Sequence, residues 1–373
     1  MKPVILIIWT IFLMSCAQHE GGHEALPFTR GVYGNPDALL KASYRFDSLG
    51  INAVFVRSIS LNPSFYNIAK DHGAKVYVEF PTLNGKGFIE HHPDAHPIDR
   101  LGLPSPTADW FMGVCPTHPG FIEHRSQQLR EILQEYQVDG VFLDYVHWHA
   151  QFETKDPILP ETCFCDRCTS LFEKEIKSEI PGSNIAQKAD WILGNEEKAW
   201  RKWRADILNG WVEDMGKIVK AKQPESKLGI FYCSWYPSDY DSALYKKLGI
   251  DPRAFAENVD VMSPMLFHKM KERPTSWVGE YVVWLGDLVE MEMENKARSG
   301  KLKKENLKTP MIWPIVQAHN TPSIVGTEEF SNVLMEGSKN PASGIMMFSA
   351  ESIAEEPSKI EVLKKHYFNR RFK

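Results

Sequence analysis

The sequence predicts an α/β fold, a closed (β/α)8 TIM barrel with enlarged loops after strands 3 and 4, and three observations carry that expectation. Eight short apolar runs recur, at residues 28–33, 53–59, 75–80, 140–145, 228–233, 259–267, 311–316 and 344–348. The segments between them carry helical periodicity, as in Ile122, Leu129, Ile132 and Leu133, or Phe330, Val333 and Leu334. The chain's 373 residues leave room for a barrel of about 250 residues plus insertions. Strands that alternate with helices imply right-handed crossovers and a parallel sheet. An open, doubly wound sheet is the alternative, but it does not need eight such units in succession.

The first segment lies outside that pattern. Lys2 gives a positive flank, and residues 4–14 form an apolar stretch shorter than the roughly 20 residues that cross a bilayer. The stretch ends in Leu13-Met14-Ser15-Cys16, which resembles the lipobox of bacterial lipoproteins. That resemblance implies a signal peptide over 1–15, cleavage before Cys16, and diacylation of its thiol, palmitate being a typical chain. An ordinary signal peptide with a chance cysteine is the other reading. Residues 16–26 then form a tether and 27–373 a single barrel domain. The expected place is the cell envelope, anchored to a membrane by lipid, with the body in the periplasm or at the cell surface.

Turn signals open several strands: Gly50, Gly73, Asp139-Gly140 and Ser343-Gly344. The loop after the third strand, residues 81–117, is rich in Pro, Gly and His. The loop after the fourth begins at His147 and leads to a long helical segment around 186–222. Trp200, Trp203, Ile207 and Trp211 fall on one face of that segment, the pattern of a stripe packed on the barrel. Arg204 beside it is expected either at the strand-exit rim or at the surface. A net charge of -5 argues against a nucleic-acid partner, which needs a basic face. The aromatic share of 12%, with 11 Trp, suits either core filling or a carbohydrate cleft.

The strand ends hold the chemistry. The run Val141-Phe142-Leu143 stops on Asp144, where a buried strand leaves the core. In a parallel barrel that end forms the open cleft, and a charge there costs free energy unless a partner or substrate offsets it. Glu79 ends the third strand in the same way, and Glu351 follows the eighth. Asp144 and Glu79 on neighbouring strands form a candidate acid–base pair; an ion pair of Glu79 with Arg57 is the structural alternative. Tyr33, Arg57, Tyr145, Trp148, Tyr232, Trp235, His268, Trp313 and Gln317 cluster at strand ends, where rings stack on sugar faces and polar groups bond hydroxyls.

His91, His92 and His96, and His147 with His149, have ligand-like spacing, but no HExxH is present. No cofactor is therefore expected for catalysis. Cys163, Cys165 and Cys168 with Cys115 would complete a structural four-thiolate zinc site joining the two insertions; a disulfide is the alternative.

Several segments together resemble the bacterial glycoside hydrolases built on (β/α)8 barrels, the glycosyl-hydrolase-like families distantly allied to the α-galactosidase superfamily. The matching pieces are Cys115-Pro116-Thr117-His118-Pro119, Asp139-Gly140-Val141-Phe142-Leu143-Asp144-Tyr145, the cysteine run at 163–168, Trp200-Arg201-Lys202-Trp203-Arg204, and Asp260-Val261-Met262-Ser263-Pro264-Met265. The resemblance implies a barrel acting on a poly- or oligosaccharide, with Asp144 in the nucleophile position. In the α-galactosidase superfamily the acid/base comes from the sixth strand, yet residues 263–268 offer no carboxylate. That role then falls to Glu79, Glu351 or a loop residue, or the protein only binds glycans. A metal-dependent hydrolase is the third reading.

Overall fold

Val- and aromatic-rich runs flanked by turns form the strands of one parallel sheet in the computed structural model, which describes residues 28–108, 110–300 and 308–369. Cys16 and the segments expected to be a signal peptide and a tether lie outside the described residues. The strands are β1 (Thr29–Gly34), β2 (Ala53–Arg57), β3 (Lys75–Pro81), β4 (Gly140–Asp144), β5 (Lys227–Cys233), β6 (Val261–Leu266), β7 (Met311–Ile312), β8 (Ile315–Gln317) and β9 (Gly344–Phe348). Their order is β5-β4-β3-β2-β1-β9-β8-β6-β7, and β5 also pairs with β6, so the sheet closes. Every ladder is parallel.

The expected seventh run is one strand of the ring in two pieces. Both β7 and β8 pair with β6, and Trp313-Pro314 lies between them. Proline has no N–H to give a ladder, so the pairing is interrupted there. The ring thus has the eight positions of a (β/α)8 barrel, as the sequence predicts.

Alternate residues point inward, and the interior is an aromatic plug. Phe55 stacks on Tyr77 at 4.9 Å, and Phe142 lies 4.9 Å from Phe55, 5.1 Å from Phe231 and 5.9 Å from Trp313. Small residues make this possible. A Cβ on Gly229 would sit 2.3 Å from the Phe142 ring, and one on Gly31 2.6 Å from Phe55. Large rings against facing glycines fill the barrel interior.

The two insertions meet outside the ring. The helical segment after β4 is two helices, Ile185–Asn195 and Glu197–Lys222, rather than one. Trp200, Trp203 and Trp211 are buried, with Trp200 and Trp203 stacked at 4.9 Å. Helix Pro119–Glu135 starts on His118, whose Nδ1 accepts the Phe121 N–H at 3.1 Å, with Pro119 in the first turn.

Candidate active site

Parity along the strands decides which groups reach the cleft. Phe142 and Asp144 are two apart on β4, so both face inward; Tyr77 and Glu79 do so on β3, and Phe55 and Arg57 on β2. The register sets Glu79 opposite Arg57 and Phe142, and Asp144 opposite Pro81. Asp144 and Glu79 are therefore offset by two residues along neighbouring strands, not directly opposed. Both are buried, at 7% and 3% exposure.

Asp144 is held by donors. Its Oδ1 accepts the Tyr145 N–H at 2.8 Å, and its Oδ2 faces the Tyr33 hydroxyl at 3.5 Å. Tyr145 reaches this position with φ 56°. A left-handed backbone is costly for a bulky residue, by about 1–3 kcal/mol, and such strain gathers at functional sites. Here it turns an N–H onto the carboxylate and lays the ring on Phe111 at 5.1 Å.

Burial pushes the Asp144 carboxyl up to about 7, and the nearby Glu153 charge adds to the rise; the Tyr145 N–H, Arg57 and the Tyr33 hydroxyl act against it. Burial also pushes Glu79 well above the usual carboxylate range, reinforced by the Asp144 charge and opposed by Arg57 and Arg125. Of the two, Glu79 keeps its proton to higher pH, because no hydrogen bond from the described residues stabilises its anion, whereas Asp144 has two donors.

Two recesses open here. The larger, about 680 Å³, is lined by Arg57, Glu79, Asn84, Trp110, Arg125 and Tyr145, and runs out along helix Pro119–Glu135 past Gln128, Glu131 and Glu135. The smaller, about 20 Å³, lies between Asp144 and Glu153 and is walled by Phe111, Tyr145, His147, Gln151, Phe152 and Met265. Trp110 and Tyr145 border both. Trp110 is 48% exposed, a flat ring presented to solvent. Burial lowers His147 to about 4, so the ring is neutral.

Of the sequence candidates, Asp144, Glu79, Tyr33, Arg57 and Tyr145 converge. Others do not. Trp148 is fully buried, its Nε1 donates to the Arg204 carbonyl at 3.1 Å, and the Arg204 guanidinium covers its ring at 4.8 Å. Arg204 itself is fully buried and donates to the Lys246 and Lys247 carbonyls at 2.6 and 2.7 Å. Neither is at the rim. Tyr232 has the wrong parity: it sits between inward Phe231 and Cys233 and faces Tyr281 of helix Ser276–Arg298. Trp235 is buried against Tyr240 and Phe152.

His268 is buried on Glu329 at 3.0 Å. Trp313 plugs the barrel interior against Tyr77, with Nε1 on Ser343 Oγ at 3.1 Å. Gln317 clamps a loop, accepting Lys269 N–H and donating to the His319 and Thr321 carbonyls. Glu351 lies against Gly34, with Oε2 buried, and lines neither recess. Glu153, Trp110, Phe111 and Arg125 are the site groups that sequence reasoning missed. All four sit in the insertions or on a helix, where no strand period marks them.

The cysteines assemble as expected. The sulfurs of Cys115, Cys163, Cys165 and Cys168 lie within 4.8 Å of one another, with Cys115 3.7 Å from Cys165 and 3.4 Å from Cys168. Four thiolates about 2.3 Å from a tetrahedral zinc are separated by roughly 3.8 Å, so the group has the dimensions of a closed metal site. No disulfide joins the five cysteines of the described residues. The histidines are engaged elsewhere: His96 with the Ser105 carbonyl, His149 with Gly113 N–H and the Pro106 carbonyl. Among the described residues the four cysteines are the one His/Cys/Asp/Glu group whose ligand atoms converge.

No protein-family model and no curated protein sequence matches the chain. Solved structures do. The PgaB (BpsB) glycoside hydrolase domain from Bordetella bronchiseptica aligns with a TM-score of 0.60 at 14% identity, over 92% of this chain and 100% of that domain. A β-galactosidase from Rahnella sp. R3 aligns at 0.63 and 12% identity, over 92% of this chain and 56% of the enzyme. A catalytic mutant of a GH42 β-galactosidase from G. stearothermophilus aligns at 0.60 and 13%, over 92% and 57%. The chain thus spans a whole PgaB domain but little more than half of each β-galactosidase. At these identities the likeness establishes the barrel fold.

Proposed function

We propose that the protein is a glycoside hydrolase acting on an oligo- or polysaccharide. One observation carries this reading: two inward carboxylates, Asp144 and Glu79, are buried at the strand-exit end with no ion pair among the described residues to neutralise them. Beside them runs an open groove with an exposed Trp110. Buried carboxylates whose proton affinities are raised by burial suit acid–base work at an acetal. The glycoside hydrolase barrels among the structural neighbours support the same class of chemistry.

Asp144 is the carboxylate set against the anomeric carbon, where an oxocarbenium-like centre needs negative charge. Glu79, the better-protonated group, gives its proton to the leaving oxygen. Tyr33 and the Tyr145 N–H orient Asp144, Arg57 keeps the site from excess negative charge, and Trp110 and Tyr145 offer stacking faces. A panel of aryl glycosides and polysaccharides tests the proposal. Turnover of at least one, lost by about 10³-fold or more in Asp144→Asn, is the expected result. Saccharide binding without turnover by the wild type would leave a glycan-binding protein instead.

The four-cysteine group is proposed to hold structural zinc, tying residue 115 of one insertion to 163–168 of the other. A closed four-sulfur shell leaves no position for substrate. Metal analysis should find about one zinc per chain, absent in Cys165→Ser. Anchoring through a lipid on Cys16 is also proposed. It suits the geometry, since β1 starts at the end of the barrel opposite the cleft, and labelled palmitate incorporation abolished by Cys16→Ser would test it.

A further inference from the structure

We propose that Glu153 is the general base of the reaction and that the narrow recess between it and Asp144 holds the attacking water, so that hydrolysis inverts the anomeric centre. The inference rests on the hydrolase reading above and adds a catalytic residue and a stereochemical outcome to it.

Size is the first argument. The recess shared by Asp144 and Glu153 leaves about 20 Å³ for the centres of water molecules, so it admits water. The larger recess, about 680 Å³, has room for the saccharide. Polar partners are the second. A held water needs two to four of them, and the recess offers the Asp144 and Glu153 carboxylates, Gln151 and His147. His147 Nδ1 is engaged with the Trp148 carbonyl at 2.9 Å, which makes Nδ1 the donor and frees Nε2 to accept.

The third argument is placement. Trp110 and Tyr145 border both recesses, the smaller lined by Glu153 and the larger by Glu79. A base with its water on one face and an acid on the opposite face is the inverting arrangement. Glu153 also has what a base requires. No described residue donates a hydrogen bond to its carboxylate, and its loop is pinned. Gln151 and Ile158 exchange two backbone bonds at 2.9 Å, and Lys271 Nζ donates to the Phe152 carbonyl at 2.5 Å. Burial raises the Glu153 carboxyl above its ordinary value, and the Lys271 and Arg57 charges oppose that rise.

The bonds balance in one step. The water oxygen bonds to the anomeric carbon as the glycosidic C–O bond breaks. Glu153 takes a proton from the water, and Glu79 gives one to the leaving oxygen. Asp144 remains ionised beside the ring and stabilises its positive charge. Solvent then returns a proton to Glu79 and removes one from Glu153.

The test is the configuration of the first-formed sugar, read by proton NMR during hydrolysis of whichever aryl glycoside the wild type cleaves. Inversion is expected. Glu153→Gln should lower kcat about 10²- to 10⁴-fold with KM little changed, and added azide should restore turnover in Glu153→Ala. Circular dichroism and thermal melting of both variants check that they fold. A retained anomer, or Glu153→Gln as active as wild type, overturns this inference and leaves the hydrolase reading standing. A wild type inert on every glycoside overturns both.

Discussion

The two ends of the barrel bury carboxylates in opposite ways. At the strand-start end, Asp260 accepts Lys220 Nζ and the Leu228 N–H, each at 2.9 Å, and pairs with Lys308 as well. Asp139 there accepts the Val76 N–H at 2.8 Å and pairs with Lys70. The lysines and the N–H bonds outweigh burial and hold Asp260 down at about 2. At the strand-exit end, Asp144 has one N–H and a distant hydroxyl, and Glu79 has neither donor nor ion pair among the described residues. Burial wins there. A carboxylate fully paired in the native state adds stability; one left short of partners costs stability and keeps a proton ready to move.

Beside the loss expected of Asp144→Asn, the largest effect should come from the proton donor. Glu79→Gln is expected to slow glycosides with poor leaving groups by about 10²- to 10⁴-fold, while activated aryl glycosides, which depart without help, fall far less. Rates across a series of aryl leaving groups measure this, and an equal loss on all of them would remove Glu79 from the acid role.

Stability should separate the two ends by sign. Asp144 has its folded pKa raised, so its burial costs little below the unfolded value near 3.9 and progressively more as pH rises through about 7. Asp144→Asn should therefore stabilise by about 4 kcal/mol at pH 8 and be neutral near pH 4. Asp260 has its folded pKa lowered to about 2, so its contribution is present above about 4 and is lost as pH falls towards 2. Asp260→Asn should destabilise by about 2 kcal/mol at pH 7, discounted because Lys220 and Lys308 are partly exposed. Thermal melts against pH should show the two variants diverging on opposite sides of wild type. Parallel curves would break the comparison.

Legibility from sequence followed the same divide. Asp144 and Glu79 were readable because an apolar run that stops on a charge marks both the strand and its exit. The four cysteines were readable because thiolate spacing is short-range chemistry. Trp148, Tyr232, Trp313 and Gln317 were not, because nearness to a strand end specifies neither the face nor the height of a side chain. Tyr232 is one residue off the inward parity, and Trp313 is inward but lies within the plug. Glu153 was invisible because its loop has no period, and only the packing of Phe152 beneath Lys271 brings it to Asp144. The break of the seventh strand at Pro314 was legible in principle, since a proline inside a central run argues against continuous pairing.

The smallest effect sharpens the comparison most. The Tyr33 hydroxyl faces Asp144 Oδ2 at 3.5 Å, long for an O–H···O bond, and it pulls the carboxyl down only weakly. Tyr33→Phe keeps the ring contacts with Phe231 and Phe348, at 5.0 and 5.2 Å, so the fold should not change. Without the hydroxyl the Asp144 anion loses one of its two donors, and its pKa should rise slightly. If Asp144 works ionised, the acidic limb of the kcat/KM profile should move to higher pH, with activity at the optimum lowered only a few-fold. An acidic limb that stays in place while the alkaline limb moves to higher pH would mean that the protonated form of Asp144 is the working one. Asp144 would then be the acid, and its role and that of Glu79 would have to be exchanged.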